Sequence, residues 1–378
     1  MAAVFINIIS FNVPFPANYG GVIDVFYKIK ALHAQGIKII LHTFTYGREQ
    51  SEELFKYCCQ VHYYQRKTGW WAQMSTKPYI VGSRRGERLL ENLLTNEYPI
   101  LFEGLHSCYY LGDERLSKRL KIVRAHNIEH LYYDGLAKSS TSRLKKIYFK
   151  KEAFLLKYFE KKLSYANYIL PLSTSEEQYF KEKFGESKVL LVPIFHANSS
   201  VQIHFPARPY ILYHGDLSTA ENIRAAIMVI DKIAKKDVSI DCVLAGLNPH
   251  KSIYGAAKGL KNVRIEANLD DEAMQILIRE AAVNILYTDQ VSGVKLKLIN
   301  VLFNGHHCLV NSKMIEGSAL DPICKVVLDD PEFFLYNIHR YLNKKIEEEE
   351  VEERRRILYS LYNNDEGAKK ILSLNDTT

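Results

Sequence analysis

The chain has 378 residues, with 50 Lys and Arg against 43 Asp and Glu and a formal net charge of +7. A composition of 47% hydrophobic and 25% charged residues excludes wholesale disorder, and the length suits two or three domains with sizeable cores. The mild positive charge suits anionic ligands or an anionic membrane surface, but basic residues and aromatics do not interleave as in a nucleic-acid module. The six cysteines (Cys58, Cys59, Cys108, Cys242, Cys308 and Cys324) form no C-x-x-C pair, and no Cys/His spacing suggests zinc. The opening MAAVFINIISFNVPFP lacks the basic start of a secretory leader, and no apolar run is long enough to span a bilayer. The expectation is a reduced, cytoplasmic protein.

Along the chain, short apolar runs predict strands at 4–8, 37–44, 99–102, 121–124, 168–172 and 189–192. Polar helical stretches separate most of them, the first at 23–35 and stopped by Gly36. Such runs divided by helices imply a parallel sheet covered on both faces. Residues 193–209 are rich in Pro, Ser and Asn and read as a domain linker. The alternation then restarts. It predicts strands at 210–214, 239–245, 263–267, 283–287 and 307–311, with helices at 220–235, 272–282 and 294–304.

Two segments stand apart. Residues 139–163 predict one basic amphipathic helix, which reads either as an ordinary packed helix or as a contact for an anionic membrane. The helix expected at 346–361 places four glutamates at 347–350 before three arginines at 354–356, the order that i,i+4 pairing and the helix dipole favour.

The chemistry concentrates at strand ends. In 292–311 a tight turn at Gly293 leads into a helix from Val294, with Lys295 and Lys297 in its first turn. Lysine opposes the helix dipole there, which makes sense if an anion lies in front; otherwise both are solvated surface residues. The end of the 210–214 strand repeats the theme with His214, Gly215 and Asp216 before a helix capped near Ser218 or Thr219. Ligands of open α/β sheets bind at the carboxyl ends of strands, so two such helix starts could hold a pyrophosphate; the plain alternative is an ordinary βα turn. In the first half, His126 follows an apolar run, with Arg124 two positions before and Glu129 three after, and reads as either a structural or a functional histidine. Glu103 and His106 follow the 99–102 strand and could line the same cleft. No Asp-x-Asp occurs; Asp270, Asp271 and Glu272 read as a helix cap, and Asp329 and Asp330 as a turn. No metal site is expected.

In order and spacing these segments resemble the glycosyltransferases of the GT-B fold, close to the retaining family 4 group. Pro16 through Gly20 and Gly21 resembles that family's Gly-Gly loop, Arg124-Ala125-His126-Asn127-Ile128-Glu129 its strand-end histidine motif, and 293–305 its nucleotide-sugar loop and helix. The resemblance covers nearly the whole chain. It implies two Rossmann-like doubly wound domains facing each other across a cleft: an acceptor domain at 1–195, completed by a C-terminal helix at 346–378, and a donor domain at 208–345.

The activity it implies is metal-independent transfer of a hexose, with retention, from a nucleotide-diphosphate sugar to a saccharide or lipid-linked acceptor. Surface polysaccharide or glycolipid biosynthesis is the implied setting. No cofactor or nucleic acid is implied, and the location would be cytoplasmic with peripheral contact at the inner face of the plasma membrane. The implied catalytic residues are His126 and Lys297. Donor contacts would come from Gly20, Gly21, Gly215, Asp216, Ser292, Gly293, Val294, Lys295 and Asn300, and acceptor-side contacts from Glu103, His106, Arg124, Asn127 and Glu129. The chain departs from the family at its two hallmark glutamates, which are Ser292 and Asn300 here, and at two basic positions, which are Asp216 and Glu221. The loss of both glutamates keeps open a catalytically degenerate binding partner, and the carboxylate and histidines at Glu103, His106 and His126 keep open a nucleotide-sugar epimerase of the same fold.

Overall fold

The computed structural model describes residues 4–69, 76–140, 142–203, 208–289, 295–327 and 331–374. The chain divides into two compact units, Met1–Ala197 with Tyr362–Thr378, and Asn198–Leu361.

Unit 1 holds a six-stranded parallel sheet of β1 (Phe5–Ser10), β2 (Lys38–Thr45), β3 (Cys58–Gln65), β4 (Ile100–Glu103), β5 (Lys121–Ala125) and β6 (Tyr168–Pro171), in the order β3-β2-β1-β4-β5-β6. Unit 2 repeats the plan with β7 (Arg208–Asp216), β8 (Asp241–Leu247), β9 (Val263–Ala267), β10 (Ala281–Leu286), β11 (His307–Val310) and β12 (Lys325–Val326), ordered β12-β11-β10-β7-β8-β9. Both are doubly wound sheets whose strand order reverses beside the first strand, at β1/β4 and at β7/β10. The carboxyl ends of those strands are where such folds bind ligands. The central strands are buried on both faces, which is why they read as apolar runs and not as alternating patterns. Asn7, a polar residue inside β1, is satisfied by the Asn96 side chain at 2.9 Å and by His42 Nε2 at 3.1 Å.

Several boundaries differ from expectation. Residues 189–192 form no strand; Val189 makes a single bridge to Ile169, and the proline at 193 has no N–H with which to continue a ladder. The stretch 193–209 is not all linker: Ile194, Phe195 and His196 are buried in unit 1. The helix expected at 139–163 begins at Arg143, since residue 139 ends the preceding helix Glu129–Ser139, and it runs as Arg143–Phe159 followed by a 3-10 turn at Glu160–Tyr165. The segment expected to complete the first domain also divides. Helix Glu348–Leu361 stays in unit 2, where the buried Arg354 donates to the carbonyls of Gly305 at 2.7 Å and His306 at 2.8 Å. Helix Asn364–Ser373 packs on helix Gly20–Ala34 in unit 1.

One close approach fixes the geometry of unit 2. β7 and β8 pair with Gly215 opposite Gly246, and a Cβ built on Gly246 would fall inside the Gly215 carbonyl oxygen. Backbone cannot yield as a side chain tip can. Gly246→Ala should therefore cost about 3 kcal/mol, read as a lower urea midpoint.

Candidate functional site

In unit 1 the site grows from two charges on the buried face of helix Gly20–Ala34. Asp24 and Lys28 lie one turn apart among Val22, Val25, Phe26 and Ile29, and both are fully buried. Lys28 Nζ reaches Asp24 Oδ2 at 2.8 Å and the Glu103 carboxylate at 2.9 Å. Arg124, at the end of β5, donates to both Asp24 oxygens at 3.1 and 2.9 Å, to the Pro193 carbonyl at 2.9 Å and to the Val192 carbonyl. His126 Nε2 meets Glu103 Oε2 at 3.0 Å and lies 3.8 Å from Asp24. Burial alone would raise the Asp24 pKa, but Arg124, Lys28 and His126 together hold it far below the usual carboxylate range. Among the described residues, Asp24, Glu103 and His126 have ligand-capable atoms within 4.8 Å of one another. Lys28 and Arg124 already balance the two carboxylates, so this donor set does not fit a divalent cation.

Beside this network lies a second layer. Gly104 turns the chain after β4 with φ +67°, and a Cβ there would meet His106 Nδ1 at 2.9 Å. His106 Nδ1 faces Glu129 Oε1 at 3.7 Å, and neither buried atom has a hydrogen-bond partner. Burial, then Arg84 and His126, push His106 well below its usual pKa. Burial pushes Glu129 up to about 8, against the pull of a hydrogen bond from Asn127. Phe11 ties these layers together, with its ring 5.4 Å from His106 and 5.5 Å from His126. Gly21 keeps that ring in place, since a Cβ there would lie 2.7 Å from Phe11 Cζ. Gly20 and Gly21 open the helix, whose N-cap, Tyr19, makes no side-chain capping bond.

In unit 2 the residues at the β7/β10 switch point come together from two helix starts. Thr219 caps helix Ala220–Val229 by accepting from Asn222 N at 3.4 Å. Asp216 is spent on a turn, accepting from Ser218 N and Oγ at 3.0 and 2.6 Å, and its carbonyl accepts from Asn222 Nδ2 at 2.9 Å. Lys297, in the first turn of helix Leu296–Asn304, donates to Asn222 Oδ1 at 3.4 Å and sits 5.3 Å from the Tyr213 ring centroid. Lys297 makes no ion pair among the described residues; the acid that acts on it is Glu221, whose carboxylate accepts from Thr288 Oγ1. Desolvation lowers Lys297 to about 8, with Glu221 opposing and Lys295 adding to the fall. His214 is buried with Nε2 unpartnered, and burial with Lys297 nearby lowers it to about 3.

The expected site residues thus separate by role. Glu103, Arg124 and His126 form one cluster, and His106, Asn127 and Glu129 form its neighbour. Arg124 is wholly buried and spends its donors on Asp24 and the chain at 192–193, so it positions this cluster and does not face an acceptor. Lys295 occupies the N-cap position before helix Leu296–Asn304. Asn300 Oδ1 is taken by Gln275 at 3.2 Å and Asn304 at 3.0 Å. Ser292, Gly293 and Val294 lie outside the described residues. Sequence reasoning missed Asp24 and Lys28, whose signal was a charged i,i+4 pair on an apolar helix face. It also missed Asn222, which only the fold brings to Lys297, and Thr288, which it brings to Glu221.

No known family profile matches the chain. It is 25% identical over 361 residues to an uncharacterized 44.6 kDa protein in the cps region of Klebsiella pneumoniae, covering 89% of this chain and 90% of that one. Among solved structures it is similar to Anabaena HepE in complex with UDP and glucose, at 9% identity and TM-score 0.68 over 99% of this chain and 100% of that one. It is also similar to S. aureus TarM, at 11% identity and TM-score 0.70 over 98% of both chains. A third is the lipopolysaccharide outer core galactosyltransferase WaaB, at 13% identity and TM-score 0.64 over 98% of this chain and 99% of that one. The fold is the one these glycosyltransferases share, two parallel six-stranded sheets with flanking helices.

The buried carboxyl of Glu129 gives a test of this geometry. Its raised pKa means the folded state binds a proton that the unfolded state has released, so its contribution to stability falls as pH rises from about 4.5 through about 8. Relative to wild type, Glu129→Gln should gain on the order of a few kcal/mol between pH 5 and pH 9, measured as urea midpoints across that range.

Proposed function

We propose that the protein is a metal-independent glycosyltransferase that moves a hexose from a nucleotide-diphosphate sugar to a saccharide or lipid-linked acceptor in surface polysaccharide assembly. The observation that carries the reading is Lys297: a half-buried ammonium without an ion-pair partner among the described residues, set between two helix starts at the switch point of unit 2. A diphosphate placed there would meet the positive ends of both helices and one lysine, which together offset the missing basic side chains at Asp216 and Glu221. Departure of the nucleoside diphosphate puts new charge on its outer phosphate. Donors fixed in advance stabilise that charge without reorganising. In unit 1, Glu103 fixes the imidazole of His126 through Nε2, and Lys28 and Arg124 hold the carboxylates that surround it. HepE and TarM have been crystallised with UDP, and the similar Klebsiella protein lies in the cps region; both support a UDP-sugar donor and a polysaccharide product. Retention at the anomeric carbon belongs to the same proposal, on the resemblance to family 4.

UDP at millimolar concentration should raise the melting temperature by several degrees, an effect lost in Lys297→Ala. Because Lys297 loses its charge near pH 8, wild-type affinity for UDP should fall as pH rises through that value, whereas Lys297→Arg should hold it. No shift with UDP, GDP or ADP would remove the donor site. Binding without turnover of any nucleotide sugar would favour the degenerate-partner reading.

We propose further that helix Arg143–Phe159 rests on an anionic membrane. Leu144, Ile147, Phe154 and Tyr158 are 67 to 81% exposed along it. Arg143, Lys145, Lys146, Lys150, Lys151 and Lys157 share its exposed surface, and its acid, Glu152, is buried. Apolar side chains flanked by lysines match the boundary of an anionic bilayer. Among the described residues no helix is long and apolar enough to cross one. The protein should sediment with vesicles containing phosphatidylglycerol and much less with phosphatidylcholine alone, and Ile147→Ser with Phe154→Ser should abolish the difference.

A further inference from the structure

The carboxyl end of the unit 1 sheet carries two guanidinium groups that the network around Asp24 does not use. Arg84 is 5% exposed and donates Nε to the Phe11 carbonyl at 2.8 Å and a second nitrogen to the Ile80 carbonyl. Arg66, just after β3, is half-buried and donates Nε to Ser83 Oγ at 2.9 Å. Its guanidinium lies 4.5 Å from the Tyr46 ring centroid and 5.1 Å from that of Tyr79. Among the described residues neither arginine has an ion-pair partner, and the terminal nitrogens of Arg66 have no acceptor. The two charges act on each other: burial first, then Arg66, lower the Arg84 pKa to about 9. The groups that support the Arg84 charge are the tyrosines Tyr133, Tyr19 and Tyr79, and the Glu129 carboxyl, on which Arg84 acts, is pushed up to about 8 by burial. His106, between Phe11 and Glu129, is neutral and presents an unpartnered Nδ1.

Two positive groups held close together and partly out of water, with no anion beside them, are poorly compensated within the fold. What would compensate them is a carboxylate or phosphate from outside, which a guanidinium can grip with two parallel hydrogen bonds. The flanking rings add a second kind of complementarity. Tyr46 is 51% exposed and Tyr19 43% exposed, and such aromatic faces pack on the apolar faces of sugar rings. Arg48 differs from Arg66, because its donors are spent on Val13, Pro16 and Asn18 and it holds the loop before helix Gly20–Ala34.

We propose that the surface of unit 1 formed by Tyr46, Arg66, Tyr79 and Arg84 binds an anionic saccharide, a sugar carrying a carboxylate or a phosphate. Its role as the acceptor subsite rests on the glycosyltransferase reading; the binding itself does not. Arg66 makes the direct contact, while Arg84, fixed by two backbone carbonyls, adds charge from behind.

The test uses the full chain with glucuronate, glucose 6-phosphate and glucose as probes, followed by saturation-transfer NMR, with UDP thermal shift measured on the same samples. Expected are signals for one or both anionic sugars well above glucose, and a loss of about tenfold in affinity in Arg66→Gln. Tyr46→Ala, at an exposed position, should weaken binding as well, and Arg66→Lys should keep part of it. The glucuronate and phosphate arms separate the two anion chemistries. Equal signals for glucose and both anions, or unchanged affinity in Arg66→Gln, would overturn the proposal. A UDP response that persists in every variant reports a folded protein with its donor site intact. Anion binding that depends on Arg66 without any UDP response would keep this site and remove the glycosyltransferase reading.

Discussion

The arrangement of unit 1 depends on one buried constellation, the pairing of Asp24 and Glu103 with Lys28 and Arg124. Two carboxylates and two cations sit out of water at 2.8 to 3.1 Å from one another. Desolvating four charges is expensive, and similar volumes of hydrocarbon would often be at least as stable. What the charges add is position. They join helix Gly20–Ala34 to the ends of β4 and β5 and to the chain at 192–195, where Phe195 N also donates to Asp24 at 2.8 Å. His126 is the member that keeps some exposure, and its ring is fixed because the rest of the set is fixed.

Unit 2 handles charge in the opposite way. Its residues leave a lysine only partly compensated at the switch point, with Glu221 near but engaged by Thr288. The ammonium is thus kept charged at neutral pH while remaining open to a stronger anion. The close β7/β8 pairing at Gly215 and Gly246 brings the His214–Asp216 turn against Asn222, and through Asn222 it sets the place of Lys297.

Much of this was readable from the chain because buried parallel strands announce themselves as apolar runs. β1, β2, β5 and β10 are such runs, and their boundaries moved by only a residue or two. β3 escaped notice because CCQVHYYQ is polar and aromatic, as an edge strand is. β12 has two residues and no pattern to detect. Between helices Glu129–Ser139 and Arg143–Phe159 the sequence has no proline or glycine, so nothing in the letters marked where the second helix begins. Of the site, the strand-end residues His126, Glu103 and Gly215 were visible because ligand positions follow from topology. Asp24, Lys28, Arg66 and Arg84 were not, because their meaning lies in what they lack or share across the fold. An arginine without an acid is invisible in a string of letters.

The chain enters unit 2 after Ala197 and returns to unit 1 at Tyr362, where Asn364 Oδ1 accepts from His196 N and the bare Cα of Gly367 leaves room for the Phe195 ring. On the ribosome this imposes an order. The surface of helix Gly20–Ala34 that takes helix Asn364–Ser373 stays uncovered until the whole of unit 2 has been synthesised. Unit 2 can close while unit 1 is still waiting for its last helix. The first half of the protein is therefore the last to finish, and the interval is one in which a chaperone has an apolar helix face to hold.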